Sequence, residues 1–327
     1  MTKSSQTVRR MALVIGAGGG IGYEVTRALL RHGWQVRALL RDPEKSRAML
    51  EALGDVQCIA GDASRAQDVI AAAEGADLIV HGVNPPRYRN WRGLAIPMLR
   101  SSIAAARHSG ARLMFPGNVY NYAPDMRGPV AEDAPQHPVT RKGAVRVEME
   151  DMLRVAAGTG VRSVVIRAGD YFGGHGPSSN FANIIVKPGR PLRSVTYPGV
   201  PAVGHAWAYL PDLAETFAEI ADRERELAAF DTFHFTGHWF ANGIEMAHAV
   251  QRASGHPQLP IRSFPWWAVR VLSPFVSLFR EVLEMRYLWE RPLALDNGKL
   301  VRLIGREPRT QLDVAVRESL RGLGCIA

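Results

Sequence analysis

Between Ala12 and Gly22 the sequence reads ALVIGAGGGIG: a short apolar run, then Gly16, Gly19 and Gly22 at three-residue spacing, then a helix-like stretch from Tyr23 to His32. Few backbone paths satisfy such a segment. An apolar run of this length bounded by glycine reads as a buried strand, and the helical pattern must begin directly behind it. Residues without a Cβ allow a tight turn and let an anion approach the backbone at the positive end of the helix. The segment therefore predicts strand, phosphate-gripping turn and helix, with Gly16, Gly18, Gly19, Gly20, Ile21 and Gly22 as the gripping residues.

The same alternation continues. Apolar runs recur at Gln35 to Leu40, Val56 to Ala60, within ADLIVHG, at Ala111 to Phe115 and at Val161 to Arg167, with helical patterns between them such as Ile96 to His108. Strands that alternate with helices build a parallel sheet covered on both faces, so the fold class expected is α/β, a Rossmann-type doubly wound sheet. After Arg167 the texture changes to loops and proline-spaced segments, GDYFGGHGPSS and KPGRPLRSVTYPGVPAVG, and to a long arm from Pro265 to Leu303. That shift predicts a nucleotide-binding domain over residues 1–170 and a smaller C-terminal substrate lobe over 171–327. Residues of about 205–240, with the helical Leu210 to Arg225 and the apolar Thr232 to Phe235, are candidates to return to the main sheet.

Composition narrows the partners. At 327 residues and 46% hydrophobic content the chain can bury a large core, which excludes disorder. Of 40 basic residues only five are lysines (Lys3, Lys45, Lys142, Lys187 and Lys299), and the remaining 35 arginines are dispersed. A dispersed excess of +9 argues against nucleic acid as partner. Cys58 and Cys325 stand in no metal or redox spacing, which predicts a cytoplasmic setting and no metal site. The opening MTKSSQTVRR is polar and its first apolar run, Met11 to Ile15, is short for a signal core, so no signal segment is expected in it. The stretch Trp266 to Phe279 is broken by Arg270 and Pro274 and is too short to span a bilayer, so no membrane partner is expected there, only a buried or lid-forming helix pair. His234 and His238, read on one continuous strand, lie about 13 Å apart and cannot share an ion.

The second strand ends LLRDPEK, which places Arg41 at its tip with Lys45 close behind and Asp42 as the opposing charge. A guanidinium there suits a ribose 2′-phosphate, whereas an acidic residue would suit free ribose hydroxyls, so NADP(H) is the expected cofactor over NAD(H). Asp62 and Ala63 follow the third strand, where Asp62 is placed toward the adenine or, alternatively, to cap a helix, with Ser64 as the other candidate cap. Gly82, Val83 and Asn84 follow the fourth strand, on the path of the second ribose.

GAGGGIG, LLRDPEK, the GD at Gly61 and Asp62, PGNVYNYAPD, RAGDYFG and WAYLPDLAE together resemble the short-chain dehydrogenase/reductase superfamily, in its extended and atypical members (NAD-dependent epimerase/dehydratase-like and NmrA-like). The resemblance covers most of the chain and implies hydride chemistry at nicotinamide C4 on a small or medium organic substrate. It also implies a Ser or Thr near the end of the fifth strand and a Tyr followed four residues later by Lys. None of the eight tyrosines here has that lysine. Asn118 stands where the Ser or Thr is expected, Lys142 where the Tyr is expected and Arg146 in the lysine's place.

The segment KGAVRVEMEDML is also similar to the isoflavone-reductase subgroup, in which a lysine takes the tyrosine's role. This makes Lys142 the expected proton donor or acceptor, near a helix N-terminus and one turn from Arg146, with Asn118, Tyr120 or Tyr122 as orienting groups. Asp170, Tyr171 and Phe172 follow the sixth strand and, with His205 and Tyr209, are the expected substrate residues. Trp266, Trp267, Tyr287 and Trp289 suit a pocket wall or a homodimer contact. Two other readings stay open: an epimerase or dehydratase with tightly held NAD(P), and an NmrA-like NADP sensor without turnover, which the missing Tyr and Lys would fit.

Overall fold

The computed structural model describes residues 10–85, 91–176 and 179–326. The first half runs β1 (Met11–Ile15), α1 (Gly20–Arg31), β2 (Gln35–Leu40), α2 (Pro43–Glu51), β3 (Val56–Ala60), α3 (Ala66–Ala72), β4 (Leu78–His81), α4 (Trp91–Ser109) and β5 (Arg112–Asn118). A short β6 (Pro129–Val130), α5 (Arg141–Ala157) and β7 (Ser163–Ala168) complete it. The six strands expected from the apolar runs are all present, two with the expected bounds and the others within three residues of them.

The remainder comprises β8 (Asp170–Phe172), β9 (Val195–Tyr197), β10 (His205–Tyr209), α6 (Leu210–Ala221), β11 (Phe230–Phe235), β12 (His238–Phe240), α7 (Glu245–Ser254) and β13 (Ile261–Ser263). The arm follows as α8 (Trp266–Leu272), α9 (Ser277–Glu284), β14 (Ala294–Leu295), α10 (Gly298–Ile304) and α11 (Leu312–Gly322). The seven-stranded sheet has the order β11-β7-β5-β4-β1-β2-β3, and every pairing in it is parallel.

Alternation along β1 shows how the layers form. Ala12 and Val14 face the core beneath α1 and α6, whereas Leu13 and Ile15 face the core beneath α3, α4 and α5; all four are essentially solvent-free. With both faces covered the strand needs no polar positions. The order reverses between β1 and β4, whose carboxyl ends open the crevice where such sheets bind ligands.

β11 pairs with β7 along its whole length, so the chain leaves the sheet at residue 169 and re-enters it at 230. Between and after these points β8, β10 and β12 form a small sheet around a separate core of Phe172, Phe181, Trp207 and Trp289. The continuous strand read through His234 and His238 is two strands, because Gly237 turns the chain at φ +59°. The stretch from Trp266 to Phe279 does form a helix pair. It is not buried: Trp267, Val271 and Phe275 face outward. Among the described residues, no helix is long and apolar enough to cross a membrane and no group of three or more His, Cys, Asp or Glu could hold a metal ion.

Candidate functional site

The turn after β1 is built from backbone alone. Gly16 adopts φ +86°, its carbonyl accepts from Gly19 N at 3.0 Å, and Gly19 begins α1 with no side-chain cap. A Cβ on Gly22 would stand 2.2 Å from the Gly16 carbonyl oxygen, and one on Gly16 would stand 2.8 Å from Val83 N. A Cβ on Gly82 would be tight as well, 3.1 Å from Ile15 O and 3.3 Å from Gly22 Cα. Gly16, Gly22 and Gly82 therefore bring the exits of β1 and β4 into contact, which sets Val83 and Asn84 beside the turn. Asn84 Oδ1 accepts from Trp91 Nε1 at 2.9 Å, which fixes it to α4. Gly18 and Gly19 are exposed, and the first turn of α1 carries no acidic residue. Bare amides at a helix start fit a dinucleotide pyrophosphate.

Beyond β2 the charges separate. Asp42 caps α2, accepting from Lys45 N, which draws its carboxylate into the helix start. Arg41 and Lys45 stay exposed, and Ser46 lies 3.0 Å from the position a Gly18 Cβ would take, so the start of α2 borders the glycine turn. Asp62 Oδ1 accepts from both Ser64 N (2.8 Å) and Ser64 Oγ (2.7 Å), and these hydrogen bonds hold its carboxyl below the ordinary pKa. This is an Asx turn with Ala63 buried inside it, and neither Asp62 nor Ser64 caps α3, whose N-cap is Arg65.

The exit of β5 is crowded. Asn118 Oδ1 accepts from Tyr120 N at 3.0 Å, and a Cβ on Gly143 would lie 2.2 Å from the Tyr120 carbonyl, so α5 starts hard against this loop. Thr140 caps α5 by accepting from Gly143 N. Lys142 is only 3% exposed, and its surroundings differ from the expected ones. The amine meets Glu281 Oε2 at 2.7 Å, donates to the Glu281 carbonyl at 2.7 Å and lies 3.6 Å from Glu284 Oε2. The Lys142 backbone N–H donates to Glu284 Oε1 at 3.0 Å. Carboxylates of α9 thus face a group for which the sequence offered only Arg146 as a neighbour. Arg146 turns elsewhere, donating to the Pro116 carbonyl and lying over the Trp91 ring.

Tyr122 is turned into the interior. It has no solvent contact, and its hydroxyl accepts from Arg167 Nη1 at 2.6 Å while donating to His234 Nε2 at 2.9 Å. His234 Nδ1 donates to the Val130 carbonyl, and burial, helped by Arg167, pushes the imidazole pKa down to about 3. The neutral ring is then the acceptor. Burial raises the Tyr122 phenol above its ordinary pKa, with Arg167 opposing. Arg167 itself pairs with Glu150 at 2.6 Å, both fully enclosed, which bolts β7 to α5. This network positions the β5 exit, and no single sequence motif announces it.

At the end of β7, Asp170 Oδ2 meets His205 Nε2 at 2.9 Å, Asn180 donates to Asp170 Oδ1 at 2.8 Å, and the Trp289 ring stacks on His205 at 4.1 Å. Asp170 and His205, separate in the sequence, are thereby one unit beside a small cavity lined by Val119 and Leu288. Tyr171 donates its hydroxyl to the Gly117 carbonyl at 3.2 Å and is half-buried. Phe172 is fully enclosed by Phe181, Trp207 and Tyr209, so it is a core residue where a pocket residue was expected. Tyr209 is buried too, and burial lifts its phenol to about 12. Glu281, Glu284 and Asn180 are the site neighbours that the sequence did not single out.

Residues 16–169 match a family model described as NAD(P)H-binding. Among solved structures, the chain is similar to UDP-glucose 4-epimerase from Bifidobacterium longum in complex with NAD+ and UDP: TM-score 0.74, 18% identity, covering 95% of this chain and 97% of that one. The likeness is one of fold, a parallel Rossmann-type sheet. The UDP-glucose-4-epimerase of Stenotrophomonas maltophila with bound NAD (TM-score 0.75, 16% identity, 96% and 98% covered) and a dTDP-glucose 4,6-dehydratase from Streptomyces venezuelae (0.74, 17%, 95% and 96%) share it. No curated protein sequence matches the chain. In a sheet of this topology the glycine turn, the β2 tip and the β5 exit lie along the carboxyl edge, where a dinucleotide is expected.

Proposed function

We propose that the protein is an NADP(H)-dependent oxidoreductase acting on a small or medium organic substrate. The observation that carries the cofactor reading is the pairing of an uncapped glycine turn with a β2 tip where Asp42 is engaged in its helix cap and Arg41 and Lys45 remain exposed. Gly16 to Gly22 would hold the pyrophosphate, Arg41 and Lys45 a 2′-phosphate, and Asp62, Ala63, Gly82, Val83 and Asn84 the remaining edge. When bound, the nicotinamide supplies a hydride donor or acceptor. Lys142 is the proton-handling group in this reading, at the start of α5, whose first turn packs on the β5 exit. Its ammonium is held by Glu281 and Glu284, so α9 controls whether the proton can reach a substrate. Asp170 and His205 form the polar side of the substrate pocket, with Tyr171 beside them.

The likeness to nucleotide-sugar epimerases and a dehydratase also supports chemistry of that kind, although alcohol deprotonation there would have to proceed without a Tyr and Lys pair. The engagement of Lys142 by α9 supports the sensor reading, in which the dinucleotide is held and not consumed.

One experiment separates these readings. NADPH and NADH dissociation constants are measured for the parent and Arg41→Ser, and NADPH absorbance is then followed against carbonyl, unsaturated and nucleotide-sugar substrates with parent and Lys142→Gln. The proposal expects NADPH to bind at least about tenfold tighter than NADH, a preference that Arg41→Ser removes, since a charge-assisted phosphate contact contributes roughly 1.5–3 kcal/mol. It also expects turnover that Lys142→Gln abolishes while binding is retained. Equal affinities sink the NADP assignment, and binding without consumption favours the sensor.

A further inference from the structure

The helix pair α8 and α9 carries two faces of opposite character. On the inner side, Trp266 donates its indole N–H to the Pro198 carbonyl at 2.7 Å, stacks edge-on with Phe264 and receives the Arg286 guanidinium over its ring. Glu281 and Glu284 point toward Lys142. On the outer side, Trp267 is 75% exposed, Val271 63% and Phe275 84%, with Leu272 and Val276 exposed beside them. Trp267 and Val271 are four residues apart on α8 and so share one face. Adjacent tryptophans thus have opposite fates: one anchors the hairpin, the other is held out in water. An exposed group of large apolar side chains on an anchored element marks a contact surface.

Charge identifies what it contacts. From Ile261 to Arg280 the chain has three cations, Arg262, Arg270 and Arg280, and no Asp or Glu. All three are exposed, while the carboxylates that follow are turned inward. Trp, Phe and Leu bordered by arginine on a short amphipathic element is the composition of a segment that lies in a bilayer interface. The net charge of +9 adds a long-range attraction toward an anionic surface. A second copy would bring two sets of three arginines together across the contact, which disfavours self-association there.

We propose that the α8–α9 hairpin is a docking surface for an anionic membrane, with Trp267, Val271, Leu272 and Phe275 entering the interface and Arg262, Arg270 and Arg280 meeting lipid phosphates. This is contact from one side, without spanning, and it adds a membrane partner that the sequence alone did not lead one to expect.

The full chain is tested by sedimentation with phosphatidylcholine vesicles and with vesicles of phosphatidylcholine and phosphatidylglycerol. Binding is expected only to the anionic vesicles, weakening as salt is raised. Phe275→Glu should reduce it by at least about tenfold, and Arg270→Gln by about fivefold, the share of one basic residue at such a surface. Both side chains are exposed, so thermal unfolding should match the parent and a loss of binding cannot be a loss of folding. Absence of binding to anionic vesicles overturns the proposal, as does binding that Phe275→Glu leaves intact. A concentration-dependent dimer that Phe275→Glu dissolves, without vesicle binding, would assign the face to a second copy and overturn it equally.

Discussion

The glycine turn after β1 and the loop leaving β5 lie along the same sheet edge, yet they are made in opposite ways. The first is bare backbone: its precision comes from contacts that a single Cβ would destroy, and Gly18 and Gly19 open onto solvent. The second is assembled from long side chains brought from distant parts of the chain: Glu150 and Arg167 below, Lys142 at its rim, Glu281 and Glu284 above. A backbone site recognises a phosphate that every dinucleotide shares. A site closed by side chains from a separate arm can be changed without disturbing the first, which is how one fold can keep a cofactor and alter a substrate.

The contrast can be broken most forcefully from below the β5 exit. Arg167→Ala leaves Glu150 enclosed without its partner, and the expected cost is about 3–5 kcal/mol, read as a lower midpoint in urea unfolding. A midpoint near the parent's would mean the network does not hold β7 to α5.

In the glycine turn the effects should divide by position. Gly22→Ala forces a Cβ to within 2.2 Å of a backbone oxygen and should cost about 1–3 kcal/mol together with NADPH binding. Gly18→Ala meets only the Ser46 hydroxyl at 3.0 Å, which can rotate away. Its stability should stay within about 0.5 kcal/mol of the parent while NADPH affinity, measured by fluorescence titration, falls. Unchanged affinity in Gly18→Ala would remove the turn from the binding site.

The smallest effect lies at the far end of α1, where His32 bonds Asp222 at 2.6 Å and Glu215 at 2.8 Å. Burial disfavours its charge, but these hydrogen bonds prevail and its pKa lies above the ordinary value. The stabilisation is therefore full below about pH 6.5 and is lost as pH rises through the higher folded value. Urea midpoints across this range should fall by up to about 1 kcal/mol equivalent, and His32→Ala should flatten the dependence.

How much of this was legible in the sequence follows the same division. Strands of the parallel sheet are buried on both faces, so ALVI and its counterparts had to appear as uninterrupted apolar runs, and the glycine turn carried its own spacing. Arg41 and Asp42 could be placed because a strand end fixes the residues next to it. What stayed hidden depends on pairs distant along the chain. Nothing near Lys142 indicates that Glu281 will face it, and nothing in RAGDYFG tells that Phe172 turns inward while Asp170 bonds His205. Tyr122 read as a cleft residue because PGNVYNYAPD follows a strand end of the sheet, but its hydroxyl answers to Arg167 and His234.

The return of β11 to the edge of β7 has a consequence for synthesis. As the chain emerges from the ribosome, β7 is finished at Ala168, but its outer edge has no strand to pair with until residues 169–229 have been made and β11 follows. At about 5–20 residues per second that interval is roughly 3 to 12 seconds, during which a strand that the finished sheet covers on both sides is an open hydrogen-bonding edge. The nascent protein must pass through this sticky interval each time it is made, and a fragment ended near residue 170 would never leave it.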